Sequence, residues 1–148
     1  MRALVQRVKR AEVRVGGESV GSIGRGMMIL LGVGRDDAEA DAEWLAAKCA
    51  QLRIYDDEEG QLNRSLLESG GAALVVSQFT LYADPRKGRR PSYTSAAAPE
   101  EAERLFEFFC EKLLQQGVAV ERGSFGERME VELVNDGPVT LMVESPQK

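Results

Sequence analysis

The chain has 148 residues, 43% of them hydrophobic and 29% charged, with a formal net charge of −5. That balance excludes an intrinsically disordered chain and argues against a general nucleic-acid coat, which is basic overall; a local basic patch remains compatible with it. There is no histidine, so any chemistry falls to hydroxyls, amides, carboxylates, backbone groups or the substrate itself.

The length fits one domain, residues 1–148, able to bury its own core. A first strand is expected over Leu4–Val8, then a hairpin in which Val13–Val15 and Ser19–Ile23 flank Gly16-Gly17. Met27–Val33 is a continuous apolar run, as in a strand buried on both faces. Asp36 or Asp37 is expected to cap a helix reaching Leu52, with Trp44, Leu45, Cys49 and Leu52 turned inward. Arg53–Tyr55 reads as a short strand. Asp56–Gly60 reads as a solvated acidic turn, without the ligand spacing of a calcium loop.

The next strand is expected over Ala72–Leu81. Pro99 suits the first position of a second helix, whose inward stripe is Ala102, Leu105, Phe106, Phe109, Cys110, Leu113 and Leu114, and Gly117 stops it. Val118–Val120, Met129–Val134 and Val139–Val143 give three closing strands, the last two joined by a turn. The result is a mixed α/β fold in one layered domain: in outline two strands, two strand–helix units and three strands, with mixed sheets and two main helices. Cys49 and Cys110 read as buried, reduced thiols, and without histidine or a CxxC pair no metal site is expected. Residues 1–8 lack a signal-peptide core and no segment has the ~18 apolar residues of a membrane span, so a cytoplasmic protein without a membrane partner is expected.

Two segments stand out chemically. Val75–Tyr82 is an apolar strand that runs into Ser77, Gln78 and Thr80, and Arg86, Lys87, Arg89 and Arg90 follow within a few residues. Polar groups at a strand end are rigidly held, and dense cations suit a phosphate backbone. Alternating polar and apolar residues are also ordinary in a half-exposed strand, and charge runs are usually solvated. A serine-hydrolase triad is excluded by the missing histidine and GxSxG elbow, and Thr80 is internal, so no α-amino group of its own can serve as base. The second segment, Asn135-Asp136-Gly137-Pro138-Val139-Thr140, has the composition of a plain turn, although a Gly-Pro unit can also aim backbone carbonyls at a ligand.

Ser77–Asp84 and Asn135–Thr140 resemble the two signature motifs of the D-aminoacyl-tRNA deacylase (D-tyrosyl-tRNA(Tyr) deacylase) family. The likeness runs in order from Met1–Val8 through Arg25-Gly26, Leu31–Gly34, Leu52–Ile54, Lys87–Ser92 and Phe125-Gly126 to about Glu144. The resemblance implies a cofactor-free enzyme that hydrolyses the ester of D-aminoacyl-tRNA, and of glycyl-tRNA, in chiral proofreading of translation. It implies a homodimer whose partners are itself and aminoacyl-tRNA rather than DNA. Ser77, Gln78, Phe79 and Thr80 of one subunit would meet a cis Gly137-Pro138 loop of the other, held in orientation by Arg7. Arg86, Lys87, Arg89 and Arg90 would meet the tRNA. Either the terminal 2′-OH helps activate water, or Thr80 is a covalent nucleophile. Glu127, after Phe125-Gly126, stands where the family usually has a small residue. Two other readings are an RNA-end-binding module without catalysis, and an esterase for small D-amino-acid esters.

Overall fold

The computed structural model describes residues 1–146. Strand β1 (Arg2–Val15) is continuous through the two expected first strands. It turns at Gly16-Gly17, both at positive φ, into β2 (Glu18–Ile23). Strand β3 (Gly26–Gly32) follows, then α1 (Glu39–Gln51), β4 (Tyr55–Asp56), β5 (Leu62–Arg64), a single helical turn α2 (Leu66–Ser69) and β6 (Ala72–Ser77). After a 3₁₀ turn at Phe79–Tyr82 come α3 (Pro99–Gln115), β7 (Ala119–Arg122) and β8 (Glu130–Glu144). The architecture is mixed α/β, as expected.

The main sheet runs β2-β1-β3-β6-β7, with β8 on β1. Strands β3, β6 and β7 are parallel to one another, while β1 is antiparallel to β2, β3 and β8. Helices α1 and α3 cover one face, where Leu45, Cys49, Leu105, Phe106 and Phe109 pack on Ala3, Val5, Ile29, Leu31 and Val75. Full burial of each large side chain there stabilises by roughly 1.5–3 kcal/mol. The other face has a smaller core of Val8, Ala11, Val13, Ile23, Met28, Leu74 and Val76. The second half of β1 and its partner β2 therefore fold over β3 and β6. That curl buries β3 on both sides and explains its unbroken apolar run. Both thiols are buried, which pushes Cys49 up to about 12 and Cys110 up to about 11. Among the described residues, no helix is long and apolar enough to cross a membrane.

Several boundaries differ from those expected. Helix α1 starts at Glu39, after an Ala38 N-cap, rather than at Asp36 or Asp37. The Asp41 carboxylate accepts from the Ala38 N–H at 2.8 Å and fixes the start there, while Asp37 turns back to the Gly34 N–H at 2.6 Å. Pro99 opens α3 and Gly117, at φ 100°, follows its end, both as expected.

Candidate active site

Strand β6 does not run to Leu81; it ends at Ser77. The Gln78 N–H still donates to the Leu31 carbonyl at 2.8 Å, and the chain then folds into the 3₁₀ turn across the end of β3. Room for this comes from Gly32 and Gly34. A Cβ on Gly32 would meet Leu81 Cβ at 3.0 Å, and one on Gly34 the Tyr82 ring at 2.8 Å. The N–H groups of Phe79 and Thr80 open the turn, so they have no acceptor within it. At its far end Arg2 donates from Nη1 to the Leu81 carbonyl at 2.7 Å and lies 4.4 Å over the Tyr82 ring. Burial pushes the Tyr82 phenol well above its ordinary range. Thr80 Oγ1 accepts a short hydrogen bond from the Gln78 side-chain amide. That NH₂ donor cannot take up the hydroxyl's proton.

Gly137-Pro138 is a cis peptide bond. It does not join two strands by a turn, because the strands expected on either side of it are one strand, β8. Along β1, Gln6 pairs with Thr140 and Val8 with Asn135, so 136–139 bulge out opposite the single residue Arg7. A reversing turn is ruled out because both halves of β8 stay antiparallel to the same strand. The bulge is tied down from beneath. Arg7, 8% exposed, donates from Nε to the Asp136 carbonyl at 3.1 Å and from Nη1 to the Ile54 carbonyl at 2.8 Å. Its charge faces Asp56 at 3.4 Å and Asp136 at 3.5 Å. Asn135 closes the neck, donating from Nδ2 to the Arg7 carbonyl at 2.9 Å and the Val139 carbonyl at 3.0 Å. Gly137, at φ 123°, and Pro138 stay exposed at the tip.

One chain does not bring these two segments together. Ser77, Leu31, Ala3 and Val143 lie in register across β6, β3, β1 and β8. Gly137 lies opposite Arg7, four residues farther along β1 than Ala3 (7 − 3 = 4). At ~3.3 Å per residue and ~4.8 Å per strand, the separation from Ser77 is about 20 Å. Strand β8 carries exposed Val131, Leu141 and Met142, and among the described strands it pairs only with β1.

The cations of 86–90 sit on a hairpin closed at its base by Asp84 and Ser92, which exchange backbone hydrogen bonds of 2.7 and 2.9 Å. Arg86 is held bidentately by the Asp84 carboxylate at 2.8 Å, which pushes Asp84 down to about 2. Lys87, Arg89 and Arg90 are exposed and form no ion pair among the described residues. Glu127 is also exposed, in a turn whose N–H bonds the Ser124 carbonyl at 3.3 Å. The described residues contain no cluster of three or more His, Cys, Asp or Glu side chains that could hold a metal ion.

Three contributors were not singled out from sequence. Arg2 supports the 3₁₀ turn, Asn135 fixes the neck of the bulge, and Tyr93 packs edge-on to Phe79 with ring centroids 5.1 Å apart. Only Asn135 had a signal, its place beside Gly-Pro. The other two meet their partners through tertiary contacts.

A family model described as D-Tyr-tRNA(Tyr) deacylase matches residues 4–144. A curated D-aminoacyl-tRNA deacylase of Symbiobacterium thermophilum is 59% identical over 145 residues, 98% of this chain and 96% of that protein. One from Thermus aquaticus is 55% identical over 148 residues, covering 100% and 97%. Among solved structures, a c-Myc DNA Unwinding Element Binding Protein aligns with TM-score 0.93 at 40% identity, covering 99% of this chain and 100% of its own. A probable eukaryotic D-amino acid tRNA deacylase shares the fold, with TM-score 0.80 at 22% identity over 97% and 98% of the two chains.

Proposed function

The chain belongs to the D-Tyr-tRNA(Tyr) deacylase family, and from that membership we infer that it hydrolyses the ester bond of D-aminoacyl-tRNA, releasing free D-amino acid and tRNA. It works in the cytoplasm as a homodimer, on aminoacyl-tRNA, as a chiral proofreader. The observation that carries the dimer is the separation of about 20 Å between Ser77 and Gly137 within one chain. If both segments serve one site, they must do so across subunits, and the unpaired outer edge of β8 offers the surface.

In that assembly the exposed Gly137-Pro138 carbonyls of one subunit face the substrate α-carbon in the other. They accept hydrogen bonds from the α-ammonium and leave no room for a side chain projecting in the L direction. Selection then works by exclusion, which admits many D-residues and glycine, which has no side chain to exclude. Arg7 and Asn135 keep the carbonyls aimed. The free N–H groups of Phe79 and Thr80 stabilise the oxyanion that develops at the ester carbonyl. Ser77, Gln78 and Thr80 side chains position the terminal ribose. Among the described residues the Thr80 hydroxyl bonds only the Gln78 amide, which is no base, and this supports water activated with help from the terminal 2′-OH rather than a threonine nucleophile.

The test is hydrolysis of D-tyrosyl- and L-tyrosyl-tRNA, with a 2′-deoxy terminal adenosine as a third substrate. Loss of the D-ester alone, and only with the 2′-OH, is expected. D-ester loss that persists without the 2′-OH returns the chemistry to Thr80. Binding without hydrolysis of either ester would reduce the protein to an RNA-end-binding module.

A further inference from the structure

Phe79 and Tyr93 are 55% and 42% exposed, yet they pack edge-to-face on each other, away from both cores. They stand on either side of the Asp84–Ser92 bridge, Phe79 in the turn before it and Tyr93 immediately after it. The paired rings therefore sit at the foot of the hairpin that carries Lys87, Arg89 and Arg90. Exposed rings beside cations that form no ion pair among the described residues are the two parts of a single-stranded nucleic-acid site. The π-faces take bases of any identity, and the cations follow the backbone.

We propose that the Phe79–Tyr93 pair is a stacking platform for the unpaired nucleobase next to the terminal adenosine of the tRNA 3′ arm, with Lys87, Arg89 and Arg90 holding the adjoining phosphates. The inference rests on the deacylase reading and adds a subsite to it. The Phe79 N–H faces the ester in that reading, and its ring packs on Tyr93 at the foot of the cationic hairpin, so a strand running from the ester toward those cations meets the rings one step upstream. Charge complementarity together with the exposed rings selects RNA as the occupant, since a single strand offers phosphates to the cations and unpaired bases to the rings, whereas a second acidic copy of this chain would answer the cations alone. The platform reads no base identity, so it grips every tRNA end alike and leaves chirality to the Gly137-Pro138 bulge.

The experiment uses the full-length protein and uncharged tRNA with 2-aminopurine in place of the nucleotide before the terminal adenosine. Wild type should quench the probe on binding. Tyr93→Leu should abolish the quench and weaken binding roughly 5- to 150-fold, the range spanned by one lost base–aromatic stack. Tyr93→Phe should restore both. Unchanged affinity and quench in Tyr93→Leu would overturn the platform, and so would a change in its sedimentation, which would assign the rings to subunit contact. Wild-type hydrolysis of D-tyrosyl-tRNA, run in parallel, separates the two ideas. Hydrolysis with an unaffected Tyr93→Leu quench sinks only the platform; a Tyr93-dependent quench without hydrolysis sinks only the deacylase.

Discussion

The bulge at 136–139 and the hairpin at 84–92 are both irregular excursions from the same sheet, built in opposite ways. The bulge is anchored by a nearly buried arginine and by an asparagine that bonds two carbonyls at its neck. The hairpin hangs on two backbone hydrogen bonds, and three of its four cations have no partner among the described residues. Reading the hand of an α-carbon requires acceptors fixed to a fraction of an ångström. Attracting a polyanion requires only charge within a Debye length. In the proposed function, rigidity lies where stereochemistry would be judged, and free charge where the substrate would first arrive.

The sharpest way to break this contrast is Arg7→Ala. It strips the Ile54 and Asp136 carbonyls of a charged donor, removes the cation facing Asp56 and leaves Asp136 only Arg25 at 3.9 Å, so stability should fall by about 3 kcal/mol, read from the urea midpoint. Selectivity should fall with it, seen as L-tyrosyl-tRNA hydrolysis rising relative to the D-ester. A wild-type midpoint and selectivity would mean that Asn135 alone holds the bulge.

Gly137→Ala is the next step down. At φ 123° an L side chain is strained, and its Cβ would stand 3.0 Å from Arg7 Nη2 and from Val139 Cγ2. A loss of about 2 kcal/mol is expected in denaturant titration, again with reduced D/L discrimination. Unaltered discrimination despite lower stability would separate the bulge's fold from its role.

The same contrast governed what could be read from the sequence. The helices were legible because apolar spacing, Pro99 and Gly117 act locally, and β3 because burial on both faces leaves an unbroken apolar run. The Gly-Pro segment was recognisable by its motif, but its composition alone pointed to an ordinary turn. Only pairing with one continuous β1 makes it a bulge. Likewise the strand expected through Leu81 ends at Ser77 because Gly32 and Gly34, far away in sequence, leave room for the chain to fold over them. Tyr93 and Arg2 stayed hidden because their partners, Phe79 and Leu81, are defined by that fold and by no spacing. The proposal that the two motifs meet across subunits came from resemblance. The strand register supports it by holding them about 20 Å apart in one chain.

On the hairpin, replacing Lys87, Arg89 and Arg90 together by alanine should change stability by no more than about 0.5 kcal/mol, because they carry no partner among the described residues. The effect belongs in binding. The slope of log affinity for tRNA against log salt should flatten by about 2, as for three phosphate contacts to a single strand. An unchanged slope would place the RNA elsewhere. A large loss of stability would mean that the hairpin is anchored like the bulge.

The smallest effect is expected at Asp84, the one rigid element of the hairpin. Its hydrogen bond with Arg86 holds its carboxyl down at about 2, below the ordinary 3.8. A depressed carboxylate favours the native pairing above its ordinary pKa and gives it up as pH falls toward 2, so the pair should persist unchanged from neutral pH to about 4. A carboxyl-carbon NMR titration should find that low value in the wild type and an ordinary one in Arg86→Ala. Asp84→Asn frees a fourth cation, so it should steepen the salt slope slightly, opposite in sign to the triple alanine variant. A flatter slope would mean that Asp84, by holding Arg86 in place, presents that cation to the phosphates rather than withholding it.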